Sequence, residues 1–298
     1  MIETSLYNHL MDQEQILGPL LATYDRKPAI FNQEAPDDQD ELWETSTQYG
    51  RIVFFVEMSK DPERKASGTL LIDIMCQKGS PSPPPEEIEP IIREMIDGYF
   101  FPTENQGAMA VQWKNSQAFS EPKKQIAGVT MMFSILAFPI QSSFTDPEPI
   151  GLLNSWTKEV YCESYVIGHD SQPERAWKPT DHSPAIYWRI VHIGNCSWIP
   201  DTYGASWLDA QFRCHIMAPS YDVAIDIARD MQHRFVLAKR LVFDDGSPLM
   251  IDRRVYIQPG ADALRAGQLT VDGTFGILTY IPEKAPIQNI VLKDKEVF

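Results

Sequence analysis

Positive charge is what this sequence is short of: 26 Lys plus Arg stand against 41 Asp plus Glu, a formal net charge of −15. Such a surface repels phosphates at long range, which argues against a protein that grips nucleic acid. Nucleic acid passing nearby without being held stays compatible with it. Cysteine is scarce as well. Cys76, Cys162, Cys196 and Cys214 are widely spaced, which fits free thiols better than a disulfide framework or a zinc site. No apolar run is long enough to cross a bilayer, the stretch from Val129 to Ile140 being too short and too interrupted. The opening Met1-Ile2-Glu3-Thr4-Ser5 has neither the basic nor the apolar part of a signal peptide. We therefore expect a chain made and kept in a reducing, cytosol-like compartment, with no membrane partner.

Catalytic signatures are missing too. There is no glycine-rich phosphate loop or dinucleotide fingerprint, no Gly-x-Ser-x-Gly elbow and no His-Glu-x-x-His. His169-Asp170 and Asp181-His182 lie near Cys162 in sequence and suggest an acid–base arrangement. Adjacent side chains usually point apart, however, and nothing earlier in the chain mirrors the group. The acidic loop with Glu34, Asp37, Asp38, Asp40, Glu41 and Glu44 lacks the turn-forming glycine of a calcium loop and reads as a solvated segment. We assign no catalytic residue, no cofactor-binding residue and no metal ligand, and expect a protein that is not an enzyme.

What the sequence does contain is a repeat. Tyr49-Gly50-Arg51-Ile52-Val53 and Tyr187-Trp188-Arg189-Ile190-Val191 share Tyr, Arg, Ile and Val 138 positions apart, as do Leu70 and Leu208, and Cys76 and Cys214. A helical stretch follows in each copy, Ile91-Ile92-Arg93-Glu94-Met95 against Ile227-Ala228-Arg229-Asp230-Met231, at an offset of 136. A shared offset that drifts by two residues across one loop is the mark of tandem duplication. We place one copy at residues 1–143 and the other at 144–298, with Gln141 to Pro149 as linker. The equivalent cysteines read as small buried hydrophobes. Arg51 and Arg189, each beside a Tyr at a strand start, read as structural, in a salt bridge or a carbonyl contact.

Periodicity gives each copy its elements. Leu6, Leu10, Leu17, Leu20 and Leu21 have a helical period with Ser5 as candidate cap and Gly18-Pro19 as its end. In the second copy Leu152, Leu153, Trp156 and Val160 do the same after Asp146-Pro147-Glu148-Pro149. Strands are predicted over Arg51–Met58, Gly68–Cys76, Ala108–Trp113 and Val129–Phe138, then Trp188–Ile193, Ala205–Met217, Met250–Ile257 and Gln268–Ile281. Thr69, Leu71, Asp73 and Met75 alternate with Leu70, Ile72, Ile74 and Cys76, the pattern of a sheet with one buried face. Ser80-Pro81-Ser82-Pro83-Pro84-Pro85 reads as a stiff lead-in to a helix with the stripe Ile88, Ile91, Ile92, Met95, Ile96 rather than as a ligand for proline-recognising modules. Ser220 is the candidate cap of its counterpart. The tryptophans, Trp43, Trp113, Trp188 and Trp207 among them, suit cores and subunit contacts alike. The fold class is α+β: two similar domains, each a mainly antiparallel sheet of about four strands with helices on one face.

Leu6-Tyr7-Asn8-His9-Leu10, Pro28-Ala29-Ile30-Phe31 with Ala35-Pro36, Tyr49-x-Arg51-Ile52-Val53, Gly68-Thr69-Leu70-Leu71-Ile72-Asp73-Ile74 and the Ile88–Ile96 helix together resemble the bacteriophage tail-terminator (tail-completion, head–tail joining) family. The resemblance covers most of residues 1–140 and, more faintly, 150–282. It rests on element order and short strings, and the family offers no point motif of binding residues to carry over. It implies a small α/β domain in a hexameric ring that caps the tail tube, docks to the head connector and lets DNA pass through an acidic lumen. This chain is double the usual length, so three chains would make a pseudo-hexamer, with six chains as the alternative. The implied location is the virion tail or neck, assembled in the bacterial host cytoplasm. Three other readings stand beside it: a tail-tube or baseplate component, a small-molecule-binding or hydrolytic enzyme with a cleft between the domains, and an adaptor working through Ser82 to Pro85.

Overall fold

A computed structural model describes residues 2–44, 48–79, 82–103, 107–141, 145–202 and 204–278. The chain opens with helix α1 (Ile2–Met11) and the single turn α2 (Glu14–Leu17). Leu6, Leu10 and Leu17 are buried as their period requires. The helix starts at Ile2, however, so Ser5 lies inside its first turns and not at a cap. A small hairpin, β1 (Thr23–Tyr24) and β2 (Lys27–Pro28), leads into β3 (Ile30–Asn32). Then come β4 (Arg51–Asp61), β5 (Lys65–Gln77), α3 (Pro85–Ile96), β6 (Phe100–Pro102), β7 (Ala108–Glu121) and β8 (Ile126–Phe138). Pro85 is buried in the first turn of α3, as expected for a rigid helix entry.

The second half repeats the series with α4 (Pro149–Val160), β9 (Tyr165–Val166), β10 (Ala185–Asn195), β11 (Ala205–Met217), α5 (Tyr221–Ala238), β12 (Arg240–Val242), β13 (Pro248–Ile257) and β14 (Leu269–Leu278). Glu148 caps α4, its carboxylate accepting from the backbone N–H groups of Ile150 and Gly151, with Pro149 in the first turn. Ser220 is the N-cap residue of α5, but its side chain makes no capping bond. Ser80 and Pro81, residues 142–144 of the expected linker, and residues 279–281 of the expected last strand lie outside the described residues.

The two sheets have the same strand order, β3-β4-β5-β8-β7-β6 and β9-β10-β11-β14-β13-β12. Each has one parallel pair at the edge, β3 with β4 and β9 with β10, and is otherwise antiparallel. Each therefore holds six strands where the periodicity suggested about four. The added strands are only two or three residues long, too short to show alternation. Register confirms the repeat at single-residue level. Arg51 pairs with Met75 and Arg189 with Arg213, both partners displaced by 138. Leu70 pairs with Phe133 and Leu208 with Phe275, so β8 and β14 correspond at an offset of 142.

Alternation puts Ile52, Phe54, Leu70, Ile72, Ile74, Met131 and Phe133 on the face that α1 and α3 cover. Ile186, Trp188, Phe212, Cys214, Val271 and Phe275 meet α4 and α5 in the same way. Burying a side chain of this size contributes about 1.5–3 kcal/mol, so each half has the means to hold its own core. Cys76 and Cys214 sit at equivalent inward positions, and burial pushes both thiols above their ordinary value, in keeping with their reading as small hydrophobes. β7 runs to Glu121, well beyond Trp113, because its far half leaves the core and both faces turn polar.

Candidate functional site

The most constrained polar side chains lie where the halves meet, at the tip of the β4–β5 hairpin. Asp61 makes that tip, its carboxylate accepting from the backbone N–H groups of Glu63 and Arg64 at 2.9 Å each. Partial burial works against the charged carboxylate there, but these bonds hold it below the usual range. Lys65 closes the turn with φ 64°. The result drives Arg64 out of its own sheet and into the second half, where it is 2% exposed.

Arg64 Nη2 donates to the carbonyl oxygens of Leu264 (2.5 Å) and Arg265 (3.2 Å), and lies 3.2 Å from His215 Nε2. Its guanidinium stacks over Phe138 at 4.6 Å and Tyr187 at 5.5 Å, each ring face offering negative charge to the cation. Burial, with Arg189 nearby, pulls Arg64 down to about 10, so it stays a cation at neutral pH. His215 Nδ1 is 2.7 Å from the Ala263 carbonyl, which assigns the proton to Nδ1. Nε2 then accepts from Arg189 Nε at 3.1 Å. Burial and the adjoining Arg64 hold His215 well below its ordinary value, and hence neutral.

Arg51 and Arg189 both form salt bridges, as the sequence reading allowed, but with different partners. Arg51 pairs with Asp38 of its own half at 2.8 Å and stacks on Tyr49. Arg189 pairs at 3.2 Å with Glu63, which the other half supplies. The tyrosines divide likewise. Tyr49 donates to Asp38, whereas Tyr187 donates to the Pro139 carbonyl and accepts from Gln141.

An apolar seam surrounds this key. Phe100, Ala108, Ala110, Leu136 and Phe138 of the first half pack against Ile167, Ala185, Tyr187 and Met217 of the second. Trp177 exchanges two backbone hydrogen bonds with Phe100 (2.7 and 3.0 Å) and stacks on its ring at 4.7 Å. The sheets stay separate, and this bridge ties the edge of the first sheet to the connection after β9.

The sequence-flagged acid–base residues do not converge. Asp170 binds Lys158 and the backbone N–H of Val166, Asp181 accepts from the Ser220 N–H, and Cys162 is exposed. Among the described residues no three His, Cys, Asp or Glu side chains are grouped to hold a metal. A groove of about 380 Å³ follows the junction, its lining including Phe100, Gln112, Lys178, Met217 and Asp262. A larger cleft of about 880 Å³ lies on the solvent face of the second sheet, beneath Trp198, with His192, Asp209, Gln211, Arg254 and Asp272 in its walls. No helix among the described residues is long and apolar enough to cross a membrane.

No family model matches the sequence, and no curated protein matches it. Among the solved structures that match, two align with less than half of this chain. One is 13% identical, covers 46% of this chain and 92% of its own, and has a TM-score of 0.33. The other, titled as the virion of a native gene transfer agent particle, is 10% identical, covers 46% of this chain and 93% of its own, and has a TM-score of 0.32.

Sequence reasoning missed Arg64, Glu63 and His215. A signal for His215 exists: it falls on the face opposite Phe212, Cys214 and Ile216, next to Arg213, at the end of a strand where that face should meet water. Arg64 gave none, since Glu63-Arg64-Lys65 looks like any charged turn.

Proposed function

We propose that the protein is a structural component of a phage-type particle, in the tail or neck, whose chains close into a ring that caps the tail tube and joins it to the head connector. The observation that carries this reading is the head-to-tail character of the internal contact. The first half presents its hairpin tip and the Leu136–Phe138 end of its sheet; the second presents Tyr187, Arg189 and His215. These are different patches of one repeated module, and the first half's counterpart of Arg189, Arg51, is satisfied by Asp38 within that half. A heterologous contact of this kind, repeated, yields a closed ring when the rotation closes.

Leu136 and Leu278 show the consequence. Ser67 pairs with Leu136 and Ala205 with Leu278, which makes the two leucines equivalent. Leu136 is 4% exposed against the second half, while Leu278 is 68% exposed. Leu136 of the first half's contact patch thus has an exposed counterpart on the second. Three chains supply six modules, and the net charge of −15 suits a ring through which DNA passes unheld. The family resemblance in the strings of residues 1–140 supplies the tail-terminator role.

The test is mass and shape together. Native mass spectrometry should give three times the 33.9 kDa chain, and negative-stain images should show rings with apparent six-fold symmetry. Stacked tubes would move the protein to the tail tube, and its absence from purified particles would remove the virion assignment.

A further inference from the structure

The corner where a helix runs into an edge strand occurs once in each half, and only one of the two corners is covered. In the first half α3 ends into β6, and the segment 176–178 lies across it. Trp177 pairs with Phe100, Lys178 Nζ sits 5.5 Å from the Tyr99 ring, and a Cβ on Gly98 would meet Lys178 at 3.2 Å. In the second half α5 ends into β12, and among the described residues nothing lies across it. Val236, Leu237 and Val242 are 56%, 67% and 54% exposed, an apolar patch with Lys239 and Arg240 exposed at its rim.

The segment that covers the first corner belongs to the connection after β9. Its counterpart by strand order is the connection after β3, the acidic loop. There Leu42 is 47% exposed, with Asp37, Glu41 and Glu44 exposed around it. Asp38 and Asp40 are already engaged, with Arg51 and Tyr24. Both sides of the contact differ between the halves. The bare corner is basic where the covered one is aromatic, and the unused loop is acidic where the used one carries Trp177 and Lys178. Paired opposite charge around an apolar centre is how an interface fixes its partner and its register.

We propose that the basic corner Val236, Leu237, Lys239, Arg240 and Val242 is the docking site for the acidic loop Asp37–Glu44 of a second copy of this chain. The contact repeats between chains what segment 176–178 does within one. The inference rests on the ring reading above and names the surfaces that would close the ring.

The experiment follows assembly of the full-length chain against concentration, by sedimentation or mass photometry. Arg240→Glu and Glu41→Arg each place like charges together and should raise the assembly midpoint about tenfold. The double variant R240E/E41R restores opposite charges and should return to within roughly threefold of the unaltered chain. Leu237→Ser should weaken assembly as well, through the apolar centre. All three positions are exposed, so the unfolding transition of the single chain should not move. Single reversals without effect, or a double variant no better than either single, overturn this contact while leaving the ring reading intact. A chain that stays single at every concentration overturns both.

Discussion

Leu136 and Leu278 have the same place in two copies of one sheet, and one is covered while the other faces water. The same contrast holds for the two arginines at the strand starts. Arg51 finds its acid within its own half, and Arg189 finds Glu63 in the other. The folding core does not tell the halves apart, since both sheets bury matching inward residues beneath two helices. The difference lies in what each outer face has to meet. The first module's seam is covered by its partner in the same chain, and the second is left with Leu278 open.

The sharpest way to break the comparison is to put the same charge at both leucines. Leu136→Asp buries an unpaired carboxylate in the seam and should cost about 4 kcal/mol in denaturant unfolding. Leu278→Asp should leave that transition within about 0.5 kcal/mol, because the site is open to water. Equal effects at the two positions would end the argument for a used and an unused patch.

Next comes the key itself. Arg64→Ala removes the stacked guanidinium and leaves the Leu264 and Arg265 carbonyls without their donor, for an expected loss of about 3 kcal/mol. Arg64 Nε and Nη1 have no hydrogen-bond partner within the protein. Much of its contribution should therefore be packing between rings, and Arg64→Met should cost only about 1 kcal/mol. Equal losses in the two variants would show that the charge matters more than the stacking.

Acid should weaken the junction through His215. The unfolded chain takes up a proton below the ordinary histidine value near 6.5, while the fold, where burial first and Arg64 second oppose the charge, does not. Stability is thus lost as pH falls from that value towards the depressed folded one. The loss grows as pH falls from about 7 through the ordinary histidine range. His215→Gln, which keeps a donor for Ala263, should flatten that part of the pH profile. The smallest effect is expected at Glu63. Glu63→Gln cuts the bridge to Arg189 at a carboxylate that is 66% exposed, so unfolding should shift by about 0.5 kcal/mol or less.

Much of the repeat was legible because strands β4, β5, β10 and β11 keep identity, and keep register as far as the bulge after Ile190. Tyr49, Arg51, Leu70 and Cys76 recur at 138, and the pairing of Arg51 with Met75 recurs at Arg189 with Arg213. The last strand was harder to match. Val129, Phe133 and Ile135 do recur as Val271, Phe275 and Ile277, but at 142, because the connection from β13 to β14 is longer than that from β7 to β8. The short edge strands β6, β9 and β12 escaped since two or three residues have no readable period. The junction escaped for another reason. What makes Arg64 important is the distance its hairpin projects and what lies opposite, the carbonyls of residues 200 positions away, and neither is written in the turn itself.

The central claim is that one head-to-tail contact between like modules is used within the chain and again between chains. Native mass spectrometry of the purified protein across a concentration series tests it most directly. The account predicts a closed species of three chains with no stable two-fold dimer below it, since the used and unused patches differ. A symmetric dimer, or a closed particle of six chains, would contradict it.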